Sequence, residues 1–283
     1  MNWSILVGAE DLAARIGEKD LRLVDARFAL GDADAGENAW RQSHLPGAGY
    51  AHLDRDLSDH GKPASEGRHP LPEAVAFCAT LERLGITPET QVVVYDGSDG
   101  AMAAARFWWL MKLLGHQRVA VLDGGFARWT ALRLPVETAP PAISPGRYEA
   151  SFDESKIARA DEVQRRLGES PGWLLDARAA ERFRGEVEPI DRVAGHIPGA
   201  LNRPFSMNLD AGRFRVPDVL RGEFSALLGE HAPSDVVLNC GSGVTACHNL
   251  LAMEHAGLHG ARIYAGSWSG WISDPGNPVA KGP

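Results

Sequence analysis

The chain has 283 residues, 44% of them hydrophobic and 23% charged, the make-up of a soluble globular protein of one large domain or two ordinary ones. A net charge of −8 and a pI near 5.7 argue against nucleic acid or an anionic membrane as partner, and still leave room for a local basic pocket. Three cysteines (Cys78, Cys240 and Cys247) make a poor disulfide framework, the first residues lack a basic signal region, and no apolar run nears the roughly 18 residues of a membrane span; the expectation is a cytoplasmic protein.

In chain order, Asp11–Ile16 and, far downstream, Asp161–Leu167 read as N-capped amphipathic helices. Short β-rich runs follow at 21–25 and 173–176. Pro-Gly turns at 46–47 and 198–199 stand just before short strand candidates at 48–53 and 200–203. Ala74–Leu84 and Leu220–Leu228 are helical. The apolar runs 91–95 and 235–239 are buried strands, each leading through a glycine-containing loop into a helix, and last strands lie at Arg118–Leu122 and Arg262–Tyr264. Helices alternating with short, fully apolar strands predict α/β architecture with a parallel sheet covered on both faces.

These elements come in pairs because the chain repeats itself. Leu23-Val24-Asp25-Ala26-Arg27 returns as Leu174-Leu175-Asp176-Ala177-Arg178, and His44-Leu45-Pro46-Gly47-Ala48 as His196-Ile197-Pro198-Gly199-Ala200. The strand from Gln91 with Asp96-Gly97-Ser98 returns as the strand from Asp235 with Cys240-Gly241-Ser242. Leu122-Asp123-Gly124-Gly125-Phe126 with Trp129 returns as Tyr264-Ala265-Gly266-Ser267-Trp268 with Trp271. The offsets, 151, 152, 144 and 142 residues, keep one order. A tandem duplication follows: a first domain at 1–137, a Pro-rich connector at 138–159 and a second domain at 160–283. The halves differ in two ways. From the His-Pro-Gly turn to the loop takes 52 residues in the first half (44 to 96) and 44 in the second (196 to 240), the excess falling around Asp54–Pro70. The counterpart of Cys240 is Asp96, so only the second half carries thiol chemistry.

Cys240 ends an apolar strand, and Gly241-Ser242-Gly243-Val244-Thr245 curls from it onto a helix over Ala246–Met253. Backbone N–H groups in such a loop, with the helix dipole, make an anion seat. A thiol held there has a lowered pKa and reacts as the thiolate. The alternative is a buried structural cysteine, which is the reading for Cys78 and Cys247. A zinc site built from Cys240, Cys247, His248 and His255 lacks the short Cys-x₂₋₄-Cys spacing, so neither metal nor cofactor is expected. A cysteine phosphatase needs an arginine six positions after the cysteine, and that position is Ala246. A protease needs a His base from distant sequence, and nothing nearby supports one. The small, uncharged loop suits an added sulfur atom on Cys240 better than a phosphate.

On these motifs the sequence resembles the rhodanese superfamily, and within it the two-domain sulfurtransferases, over nearly its whole length. Cys-Gly-Ser-Gly-Val-Thr-Ala at 240–246 looks like the 3-mercaptopyruvate branch, since the thiosulfate branch usually carries basic side chains just after the cysteine, where this chain has Gly241 and Ser242. The resemblance implies a tandem pair of rhodanese-like α/β domains, each a mostly parallel sheet flanked by helices, the first catalytically silent and the site in the interdomain cleft. It implies that Cys240 takes sulfur from 3-mercaptopyruvate, with thiosulfate as the rival donor, and becomes a persulfide held by the N–H groups of Gly241 through Thr245. A thiol such as thioredoxin, or cyanide, then receives the sulfur. A non-catalytic sulfur-carrying or binding module is the alternative of a different class.

Arg182 matches the arginine that grips the donor carboxylate in the family. A second arginine often follows a Glu-Pro pair, but Glu188-Pro189 is followed here by Ile190, which leaves Arg192 as its substitute or leaves the place unfilled. Asp54 and His69 match an Asp and a His that reach the active-site serine, here Ser242. The Ser242 hydroxyl either serves the sulfur and the proton left to place, or satisfies backbone. Gly270 stands where a Glu commonly precedes the last Trp, a departure expected to be structural rather than catalytic.

Overall fold

Two five-stranded parallel sheets carry the fold of the computed structural model, which describes residues 2–283. In the first, β1 (Leu6–Val7), β2 (Leu21–Asp25), β3 (Gly49–Tyr50), β4 (Gln91–Tyr95) and β5 (Val119–Leu122) stand in the order β1-β5-β4-β2-β3. In the second, β6 (Ile157–Ala158), β7 (Leu174–Asp176), β8 (Leu201–Asn202), β9 (Val237–Asn239) and β10 (Arg262–Tyr264) stand in the order β6-β10-β9-β7-β8. The two orders are the same, so the repeat in sequence is a repeat of topology. Val92, Val93, Val94 and Tyr95, like Val237 and Leu238, have no exposed surface, as strands covered on both faces require. Helix Ala104–Leu113 is apolar nearly all round and buried to match. Among the described residues no helix is long and apolar enough to cross a membrane.

Register places the chemistry at one sheet edge. Asp25 pairs with Tyr95, and Asp176 pairs with Asn239, so each Asp-Ala-Arg motif ends its strand level with the start of the following loop. Both aspartates are fully buried and both are satisfied bidentately. Arg27 donates Nε and Nη2 to Asp25 and then Nη2 to the Ser43 carbonyl. Arg178 does the same for Asp176 and the Gly195 carbonyl. The repeated motif is thus a buried fork-to-fork ion pair that ties the strand end to the chain before the His-Pro-Gly turn. His44 and His196 are structural as well. Each exchanges backbone bonds with a later segment (Glu137 and Ala280) and turns Nδ1 to a carbonyl, of Trp40 and of Phe183.

Local details depart from the sequence expectation. The two leading helices span Ala9–Ala13 and Ala160–Arg165, starting before Asp11 and Asp161, and their N-caps, Gly8 and Arg159, make no side-chain capping bond. The acids sit instead in the first turn, where they face the positive end of the peptide dipoles. Helix Ala35–Gln42 lay outside the sequence expectation: its apolar side chains are only Ala35, Ala39 and Trp40, among mostly polar neighbours.

Contacts divide the chain into two units that do not follow the halves of the sequence. The first holds the chain up to Asp59, Pro72–Asp153 and Ala211–Phe214; the second holds His60–Leu71, Glu154–Asp210 and Arg215–Pro283. Much of the first half's excess is therefore a strap, 60–71, that belongs to the second unit. In the other direction, Arg213 and Phe214 are tied to Asp123 of the first unit, through Arg213 Nε to Oδ2 (3.1 Å) and the Phe214 N–H to Oδ1 (2.9 Å).

The loop after β4 shows what its position asks of a side chain. Asp96 is 1% exposed and folds back under the loop. Its Oδ1 accepts from the N–H groups of Ser98 (3.3 Å) and Gly100 (2.9 Å), its Oδ2 from those of Met102 (3.1 Å), Ala103 and Ala104 (both 3.4 Å). The backbone here is an anion cradle whose anion is built in. Asp96→Asn turns an amide NH₂ toward N–H donors and leaves them unmet, so urea denaturation should report a loss of about 1–3 kcal/mol. An unchanged midpoint would refute the cradle.

Candidate active site

In the second unit the corresponding loop is held from below by the turn after β10. The Cys240 N–H donates to Ser267 Oγ (3.1 Å), which donates to the Tyr264 carbonyl (2.9 Å). The Cys240 and Gly241 carbonyls accept from the N–H groups of Trp268 (3.0 Å) and Ser269 (2.9 Å). The first unit repeats this pair of bonds, Phe126 to Asp96 and Ala127 to Gly97. The loop is tight because Gly243 (φ 75°) passes so close that a Cβ would lie 2.5 Å from the Ala265 carbonyl oxygen. The helix then runs over Thr245–His255. Cys240 is 1% exposed at its N-terminal end, at the carboxyl edge of the sheet where open parallel sheets take ligands. Cys247, fully buried, donates Sγ–H to the Gly243 carbonyl (3.3 Å) and so helps close the loop from the helix.

Two groups from the strap complete the surroundings. His69 Nδ1 and Ser242 Oγ are 2.8 Å apart, with His69 3% and Ser242 6% exposed. Beside His69 in sequence, Arg68 reaches over the loop: a Cβ on Gly241 would stand 3.3 Å from Arg68 Nη2 and 3.8 Å from both Nη1 and Nη2 of Arg182. The two guanidinium groups share one carboxylate, Arg68 Nη1 lying 2.6 Å from Asp191 Oδ1 and Arg182 Nη2 3.1 Å from Oδ2. Arg182 is also forked onto Glu188, through Nη2 to Oε1 at 2.8 Å and Nε to Oε2 at 3.2 Å. Burial would raise the Glu188 carboxyl, but the Arg182 fork and the N–H groups of Asp191 and Ile190 outweigh it and hold it below its ordinary value. The Glu188 carboxylate thus stays charged near neutrality, and Glu188 and Asp191 together hold the two guanidinium groups beside the loop.

The sequence candidates therefore divide. Cys240, Gly241, Ser242, Gly243, Val244, Thr245, His69 and Arg182 come together. Arg192 does not join them: its guanidinium donates to the Ile272 and Ser273 carbonyls, capping the end of helix Ser267–Trp271. Asp54 belongs to the first unit, in the first turn of helix Leu53–Asp56, where its N–H donates to His52 Nδ1 (3.0 Å). Arg68 was missed. Its signal was available, a cation beside a candidate histidine in a stretch lacking a counterpart in the other half. Among the described residues no group of three or more His, Cys, Asp or Glu is placed to hold a metal ion.

The arrangement can stabilise a sulfur anion at the loop, grip a small carboxylate or sulfonate beside it, and deliver a proton through the Ser242–His69 pair. Comparisons with known proteins agree with that chemistry. The family model for the rhodanese-like domain matches twice, at residues 8–132 and 159–274. A protein of Pseudomonas aeruginosa named "Probable 3-mercaptopyruvate sulfurtransferase" is 47% identical over 284 residues, covering 100% of both chains. The rat 3-mercaptopyruvate sulfurtransferase is 35% identical over 97% of this chain and 93% of its own. The solved structure of SseA from Escherichia coli, described as a 3-mercaptopyruvate sulfotransferase, superposes with a TM-score of 0.81 at 31% identity, over 94% of this chain and 99% of that one.

Proposed function

The chain belongs to the rhodanese-like domain family, with two such domains in tandem, and from that premise we propose a sulfurtransferase that draws sulfur from 3-mercaptopyruvate through a persulfide on Cys240. The Cys240 thiolate attacks the donor's sulfur. An S–S bond forms, the carbon–sulfur bond breaks, and its electron pair stays on carbon as the enolate of pyruvate. The enolate takes up a proton, and the persulfide gives up the one its outer sulfur carried, so no outside oxidant or reductant enters. An acceptor thiolate or cyanide then attacks the outer sulfur and returns the Cys240 thiolate. Thioredoxin or a small thiol in a reducing, cytoplasmic setting fits the acceptor step, with no nucleic acid or membrane partner.

One observation carries the choice of donor: the His69–Ser242 contact of 2.8 Å beside the loop. Mercaptopyruvate leaves a carbon base that must be protonated, whereas thiosulfate leaves sulfite, which departs as a stable anion and needs no acid. The N–H groups from Gly241 to Thr245 hold the thiolate and then the persulfide. Support for that role comes from the other half, where the corresponding backbone holds the Asp96 carboxylate. Arg182 grips the donor carboxylate, with Arg68 as a second cation in place of the expected Arg192. Asp54 keeps the part of third member of the acid-base set on the family resemblance alone.

The test compares kcat/KM for 3-mercaptopyruvate and thiosulfate, with cyanide or thioredoxin as acceptor. Preference for thiosulfate would overturn the reading. Arg182→Ala should raise KM for mercaptopyruvate about 10- to 100-fold, the worth of a charge-assisted contact, and Arg182→Lys should recover only part of it. An unchanged KM would remove Arg182 from the donor site.

A further inference from the structure

Gly270 has a physical reason to lack a side chain. A Cβ there would lie 2.5 Å from the Ser65 carbonyl oxygen and 3.1 Å from the Gly67 nitrogen. Gly266, at the start of the same turn, would meet the Ser65 carbonyl oxygen at 3.0 Å. Gly67 (φ 88°) would in turn press on the Gly266 carbonyl oxygen at 2.5 Å. Strap and turn therefore lie backbone against backbone, at a distance that only glycine permits. The strap enters this contact as a tight turn, Ala64–Glu66, closed by Gly67 N–H to the Ala64 carbonyl (3.0 Å).

Between two of these glycines stands Ser269, and it faces both ways. Its N–H donates to the Gly241 carbonyl (2.9 Å), one residue past Cys240. Its Oγ accepts from the Arg68 N–H (2.9 Å), one residue before His69. A single residue thus joins the loop to the strap that delivers Arg68 and His69.

We propose that Ser269 and Gly270 are positioning residues: together they set the register of the 64–69 strap on the Cys240 loop, and so the reach of His69 to Ser242 and of Arg68 to the donor carboxylate. The proposal rests on the mercaptopyruvate reading for what Arg68 and His69 do, and on geometry alone for what holds them. A side chain at 270 must lift the strap, because the atoms it meets are backbone and cannot rotate away. A displacement near 1 Å is enough to cost an acid-base group much of its effect.

The experiment takes the full chain with Gly270→Ala, Ser269→Ala and Ser269→Thr, and three readouts: amide hydrogen exchange over 64–69, the rate of Cys240 alkylation by iodoacetamide, and kcat with 3-mercaptopyruvate. Gly270→Ala and Ser269→Ala should each speed exchange over 64–69 about 10-fold while helix 245–255 stays protected. Alkylation should hold within about 2-fold of the unaltered chain, and kcat should fall about 10-fold. Ser269→Thr keeps the acceptor oxygen and should restore both exchange and kcat. Unchanged exchange in both variants overturns the proposal. So does loosened exchange with unchanged kcat, or a parallel fall of alkylation and kcat, which would mean damage to the loop itself. If the unaltered chain does not turn over mercaptopyruvate, the proposed function falls, and the exchange arm alone still decides whether the two residues seat the strap.

Discussion

Incubated with 3-mercaptopyruvate and no acceptor, the unaltered chain should emerge one sulfur atom heavier by intact mass, and Cys240→Ser should not. In turnover the same substitution should lower kcat/KM by about 10³-fold or more, because serine at neutral pH offers neither the thiolate nor a sulfur to carry the transferred atom. The measurement also separates the three cysteines. Cys247 is committed to the Gly243 carbonyl, and Cys78 donates to the Ala150 carbonyl at 3.8 Å, where burial pushes its thiol up. Sulfur gained by Cys240→Ser would put the nucleophile elsewhere and sink the assignment. A heavier unaltered chain that never passes its sulfur to thioredoxin or cyanide would point to a carrier rather than an enzyme.

His69→Gln should separate the donors. With mercaptopyruvate, loss of the proton route to the enolate should lower kcat about 10²-fold, the ordinary worth of a positioned acid-base group. With thiosulfate as donor, kcat should change by less than about 3-fold, since the leaving sulfite needs no proton. Ser242→Ala should follow the same split if the serine lies on that route. Equal losses for both donors would mean that His69 supports the loop and takes no part in proton transfer. The histidine is well placed for either outcome to be readable, being 3% exposed and 2.8 Å from the hydroxyl.

Much of this fold was legible because the repeat supplied each element twice. Gln91–Tyr95 and Arg262–Tyr264 fell where the apolar runs put them. The placing of Cys240 was legible for a related reason: a strand end, two glycines and a helix start can be read from local sequence alone. The arginines were legible only in part. Arg182 lies on a short helix, Ala180–Phe183, near its strand. Arg68 and Arg192 are each placed by distant contacts, with Ser269 and with the Ile272 carbonyl, that no local pattern announces. Gly270 looked like a lost glutamate from sequence. Its reason became visible only with the Ser65 carbonyl beside it, 2.5 Å from where a Cβ would be. Pattern reading finds what a segment does to itself; what two remote segments forbid each other is written in neither of them.

The exchange of short segments between the units bears on how such a chain is made. Duplicated domains are commonly thought of as interchangeable modules, each able to leave the ribosome and fold before the next appears. Here the first unit lacks Ala211–Phe214 until about half of the second half has been synthesised, and the second unit must recruit His60–Leu71 from chain already made. A fragment beginning at residue 160 would carry the cysteine without Arg68 or His69. The halves repeat one topology, yet a cut between them would divide both units.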